Sequence, residues 1–223
     1  MNKTKESQLS KYSISWIYAL FFLSGLPALI YQIVWQRSLF TFYGVNIQSI
    51  TMIVADFMLG LGIGALVGAY LSKSKKVNLL IIYAALELLA AIIGFISLAV
   101  LNWVGLHTLN WSTGALSVLI FFLLLVPTII MGASLPILTE YLVKRIPHVG
   151  RSVSLLYSAN TFGAAFSCFA LSLYLMNSLG QHGSVCLAAI MNCIIGLGCL
   201  LLWGKSPLAQ ATQLETSEAK PIA

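Results

Sequence analysis

Long apolar runs alternate with short polar connections along almost the whole chain. Six runs reach the ~20 residues that a helix needs to cross a ~30 Å hydrocarbon core: Trp16–Tyr43, Ile47–Leu71, Val77–Val104, Gly114–Val143, Val153–Met176 and Ser184–Trp203. The pattern predicts an all-α integral membrane domain over residues 16–203. A polar tail over 1–15 precedes it, and a polar, disordered tail over 204–223 follows it. Trp16–Tyr43 would extend ~42 Å as a helix, so it is expected to tilt or to kink at Pro27. The fourth run carries Pro127, Gly132 and Pro136 and is expected to be the most broken helix.

Composition agrees. The 223 residues are 59% apolar and 8% charged, with a mean hydropathy of +0.93, outside the range of soluble domains. Charge adds an orientation. Every Lys and Arg except Arg37 lies before the first run, between runs two and three, between runs four and five, or after the sixth. The intervening connections, 44–46, 105–113 and 177–183, carry none. With six crossings, the excess of basic residues on one side puts both termini in the cytoplasm, in a cytoplasmic (inner) membrane. Trp16, Trp103, Trp111 and Trp203 fall near run ends, where an interfacial aromatic belt is expected.

Two patterns concern helix packing. Gly60, Gly64 and Gly68 recur every fourth residue on the second run, and such stripes let two backbones approach closely. They mark a central helix or a dimer seam. Phe21-Phe22-Leu23 with Pro27 echoes Phe121-Phe122-Leu123 with Pro127, three runs later and in the opposite direction. An echo of that kind suggests a 3+3 inverted repeat, a plan found in secondary transporters.

The candidate chemistry lies in charges inside apolar runs, where charge is expensive and usually faces a cavity or a partner. Asp56 and Glu87 both fall ~15 Å deep by helix rise, and Arg37 ~10 Å deep. Arg37 and Asp56 are expected to form an ion pair between the first two helices, structural or exchangeable with a ligand. Glu87 has Tyr83 one turn earlier on its own face. It is either a neutral structural group or a proton or cation site. Gln32 and Gln36 share one face of the first helix. Tyr157, Asn160, Thr161, Ala164, Ser167 and Cys168 share one of the fifth. Buried amides and hydroxyls of this kind glue helices together or coordinate a small polar ligand. Glu140 and Lys144 form an i,i+4 pair at the helix end. His107, His148 and His182 stand in separate connections, and the four cysteines lack metal-ligand spacing, so neither metal nor cofactor is expected. No nucleophile–base pair, paired-carboxylate site or phosphate loop is present, and the chain is expected to be non-catalytic.

Five stretches together resemble the membrane module of the membrane-bound spermidine-synthase-like family, a major-facilitator-type domain usually fused to a polyamine aminopropyltransferase. They are FFLSGLPALIYQIVWQR (21–37), FMLGLGIGALVGAYL (57–71), LEL (86–88), VPTIIMGASLPIL (126–138) and GRSVSLLYSANTFGAA (150–165). The resemblance implies half of a major-facilitator transporter. It implies a polyamine-like solute, or a soluble aminopropyltransferase or methyltransferase seated on the module, and a homodimer or second membrane subunit. The soluble domain is absent from this sequence, so the aminopropyltransferase chemistry does not carry over. Gln32 stands where the family often has an acid, and Asp56 where it tends to have a small residue. Glu87, inside LEL, is therefore the better candidate for a shared role. A structural or assembly subunit of a larger membrane complex is the alternative reading.

Overall fold

Residues 3–43, 47–73, 77–144 and 149–204 are described by a computed structural model. All of the regular structure among them is helical: α1 Lys3–Tyr43, α2 Ile47–Leu71, α3 Leu79–His107, α4 Thr113–Val143, α5 Val149–Ala170, a π-helical turn Leu171–Leu175, and α6 Met176–Gly204. Five helices are long and apolar enough to cross a membrane, the fifth being the continuous stretch Val153–Leu201. The protein is a multi-pass membrane protein. Residues 3–15 of the predicted N-terminal tail are helical and continuous with α1; the predicted C-terminal tail, from 205 onward, lies outside the described residues.

The helix ends follow local chemistry. Asn78 caps α3 by accepting from the Leu80 N–H, and Ser112 caps α4 by accepting from the Ala115 N–H. α4 runs unbroken through Pro127 and Pro136, contrary to the expectation of a broken helix. Neighbouring helices hold the proline-containing turns in place, as membrane bundles commonly do. The break falls instead at Gly180, the one residue of α6 with non-helical torsions (φ 65°, ψ −169°). Only glycine readily adopts that conformation.

Helix directions follow from paired residues. Ser24 meets Glu87 and Trp35 meets Ser97, so α1 and α3 run the same way. Asn160 bonds to Phe21 and Ser167 to Leu26, so α5 also runs with α1. After Gly180 the order inverts: Gln181 meets Ser38, and Gly198 lies beside Leu20. The chain therefore reverses at Gly180 within the last apolar stretch. The connection expected over 177–183 is a one-residue break between helical segments.

α2 takes α4 as its main partner rather than α1. A Cβ on Gly60 would fall on Thr128, one on Gly64 on Ile129 and Gly132, and one on Gly68 on Ala133. The glycine stripe is thus filled by α4 and leaves no open dimer seam. α5 lies on α1 through the same device. A Cβ on Gly25 would meet the Asn160 carbonyl, and one on Gly163 the Phe22 carbonyl. Lipid tails are as apolar as these side chains, so close van der Waals contact and interhelical hydrogen bonds hold such a bundle together.

Two apolar clusters form the core. One gathers Tyr31, Trp35, Leu39, Ile53, Leu101 and Ile120 toward the Tyr43 end of α1. The other gathers Phe21, Leu80, Tyr83, Ile137, Leu142 and Ile195 toward its Trp16 end. Tyr31 stacks on Trp35 at 5.3 Å between ring centroids, and a Cβ on Gly94 would collide with the Tyr31 ring. Between the clusters the packing opens.

Candidate functional site: a central cavity at Glu87

The opening is a cavity of about 270 Å³ to which all six helices contribute. α1 and α4 line it through Gly25, Ala28, Gln32, Gly132 and Ser134. α2 and α5 flank it with Leu61, Ala65, Tyr157, Asn160 and Ala164. α3 and α6 supply Glu87 and Asn192. Leu61 and Tyr157 are exposed, so the cavity opens between α2 and α5.

Glu87 is 5% exposed. Its Oε1 accepts a 2.7 Å hydrogen bond from Ser24 Oγ. Tyr83 is fully buried one turn earlier, and its hydroxyl lies beside Ser24 and Glu87 without a well-formed hydrogen bond to either. The Tyr31 hydroxyl is likewise buried without a partner, although Asn192 lies beside it. Unmade hydrogen bonds of buried polar atoms cost ~1–3 kcal/mol each. This region therefore holds both a carboxyl group and unused donors.

The sequence-derived candidates divide. Glu87, Gln32, Asn160 and Tyr157 line the central cavity. Gln36 does not: it lines a second cavity with Arg37, nearer the Tyr43 end of α1. Thr161 is exposed and turns its hydroxyl back to the Tyr157 carbonyl. Ser167 is buried and spends its hydroxyl on the Leu26 carbonyl, and Cys168 is exposed. The polar face of α5 is thus split between the cavity, α1 and the outer surface.

The expected Arg37–Asp56 ion pair is not formed. Asp56 lies one turn before Gly60 on the stripe that faces α4, fully buried, with Thr128 beside it but no well-formed hydrogen bond to either oxygen. Thr128, which a Cβ on Gly60 would meet, gives its hydroxyl to the Leu124 and Leu125 carbonyls. Arg37 is exposed and lies with Gln36, Phe40 and Thr41 toward the reversal at Gly180, where Asn177 and Gln181 line the same cavity. Depth alone suggested a pair; the rotation of each helix about its axis separates them. Among the described residues, the ion pair that does form is Lys144–Glu140, at 3.2 Å.

Ser24, Tyr31, Ser134 and Asn192 were not singled out from sequence. Asn192 was detectable as a lone amide in a long apolar run. The serines were not, because serine is common in membrane helices without a polar role.

No family model, curated protein or solved structure matches this chain.

Proposed function

We propose that the chain is a non-catalytic, half-transporter-like membrane module that binds, or helps move, a small cationic solute at Glu87. The observation that carries this is the meeting of six helices around one cavity, with a buried carboxyl in its wall and amides from α1, α5 and α6 nearby. A carboxylate there would attract an ammonium group, and the amides and tyrosine hydroxyls would complete its hydrogen bonds. An amine of polyamine type fits this donor set and agrees with the resemblance of the sequence.

Six crossings in a 3+3 inverted repeat belong to this reading. The reversal at Gly180 supports the sixth crossing. Matched contacts support the repeat: Gly25 on α5 corresponds to Gly132 on α2, and Gly163 on α1 to Gly64 on α4. α1 packs on α6 as α4 packs on α3. These matches follow a different register from the Phe-Phe-Leu echo. The mouth between α2 and α5 would be closed by a second copy or a second membrane subunit. A soluble aminopropyltransferase-like partner would dock on the cytoplasmic side, where the basic connections are placed.

The test is uptake and equilibrium binding of radiolabelled spermidine by purified protein in proteoliposomes. Glu87→Gln should lose binding while remaining monodisperse in detergent. Equal binding by parent and variant would sink the proposal. The second reading, a structural subunit, is favoured by a different observation: Ser24, Asn160 and Ser167 all spend hydrogen bonds on neighbouring helices. It requires that Glu87→Gln lose assembly before any binding.

A further inference from the structure

Arg37 lies in the apolar stretch Trp16–Thr41 and is always charged. A guanidinium at that depth needs a counter-charge or water. Among the described residues no acid supplies one. Glu87 is engaged by Ser24, Asp56 is buried against α4, and Glu140 pairs with Lys144. The side chain instead faces an open cavity of about 700 Å³, separate from the central one.

The walls of that cavity are selective in kind. Gln36, Thr41, Asn177 and Gln181 line it together with Arg37, and among the described residues no carboxylate does. Such a site repels cations and offers donors to an anion. Ser38 Oγ donates to Gln181 Oε1 at 3.0 Å, so the amide nitrogen is the group Gln181 retains to donate. The left-handed torsion at Gly180 begins a new helical stretch at Gln181, and the first turn of a helix favours negative charge. Phe40 and Met176 add apolar wall, and the volume exceeds what a bare oxyanion fills.

We infer that the Arg37 cavity binds a phosphate-bearing anion, held by the guanidinium fork and by the amides of Gln36, Asn177 and Gln181. A guanidinium takes two phosphate oxygens at once, which an ammonium does not. The phosphate has two possible sources, a phospholipid headgroup or a soluble phosphate. The site is independent of any solute at Glu87.

The probes are dihexanoyl phosphatidylglycerol and inorganic phosphate, added to the purified full chain in neutral detergent, with sodium chloride at matched ionic strength as the control. The readouts are the melting temperature against probe concentration and probe retention by native mass spectrometry. The lipid should raise the melting temperature saturably. Arg37→Gln should shift the midpoint upward by about tenfold or more, and Arg37→Lys by less. Asn177→Leu, at an exposed position on the facing wall, should weaken binding in a fully folded protein. Protection by inorganic phosphate as strong as by the lipid would identify a soluble anion as the ligand and uphold the site. If neither probe protects beyond chloride, or if parent, Arg37→Gln and Asn177→Leu respond alike, the inference is overturned.

Discussion

Ser24 on α1 and Glu87 on α3 share a 2.7 Å hydrogen bond at the wall of the central cavity. The bond joins two helices that run in the same direction and holds one carboxylate oxygen in a fixed place. Ser24→Ala should remove that donor and lower stability by about 1–3 kcal/mol. Thermal unfolding in detergent measures it. In the Glu87→Gln background the same serine change should cost less, because a neutral amide oxygen accepts more weakly than a carboxylate. Equal costs in both backgrounds would show that the carboxylate adds nothing to the bond beyond what a neutral acceptor gives.

Gly64 and Gly132 bring α2 and α4 into backbone contact. Gly64→Leu should force the helices apart, costing about 1–3 kcal/mol or more and reducing the yield of monodisperse protein. Gly62, two residues earlier, faces open space. Gly62→Leu should change stability by about 0.5 kcal/mol or less. Size-exclusion profiles of the two variants, prepared side by side, distinguish a packing stripe from general sensitivity to glycine replacement.

Gly180 supplies the reversal between the last two helical segments. A Cβ there would meet nothing within 4 Å, so any loss in Gly180→Ala comes from the backbone alone. The expected cost is about 1–3 kcal/mol. Should Gly180→Ala melt with the parent, the left-handed torsion is not needed for the fold.

Arg37 and Asp56 are predicted to be energetically independent. The double-mutant cycle of Arg37→Gln and Asp56→Asn should give a coupling within about 0.5 kcal/mol. Asp56→Leu should be neutral or stabilising, since it removes a buried carboxyl that makes no well-formed hydrogen bond. A coupling well above that limit would restore the ion pair.

Much of the fold is readable from residue pattern. Ile47–Leu71 begins and ends as the apolar run predicts, and the third and fourth runs agree to within three residues, whereas α1 extends to Lys3 and the fifth and sixth runs merge into one continuous apolar stretch. The site is legible only in part. Glu87, Gln32, Asn160 and Tyr157 do line one cavity, whereas Gln36 and Thr161 do not, although helical spacing grouped them with these residues. Spacing reports which residues share a face of one helix. It does not report which neighbour that face meets.

The sequence by itself determined that the chain is helical and membrane-embedded, where its apolar stretches lie, and that its charges inside them are rare. Those properties depend on local composition, which lipid reads directly. The tertiary structure decided the pairing of α2 with α4, the reversal at Gly180, the separation of Arg37 from Asp56, and the meeting of Ser24 with Glu87. Each of these depends on how helices rotate and approach across distances of many residues. Between equally greasy surfaces that choice is made by close contact at small residues, as at Gly64 and Gly132, and by a few interhelical hydrogen bonds.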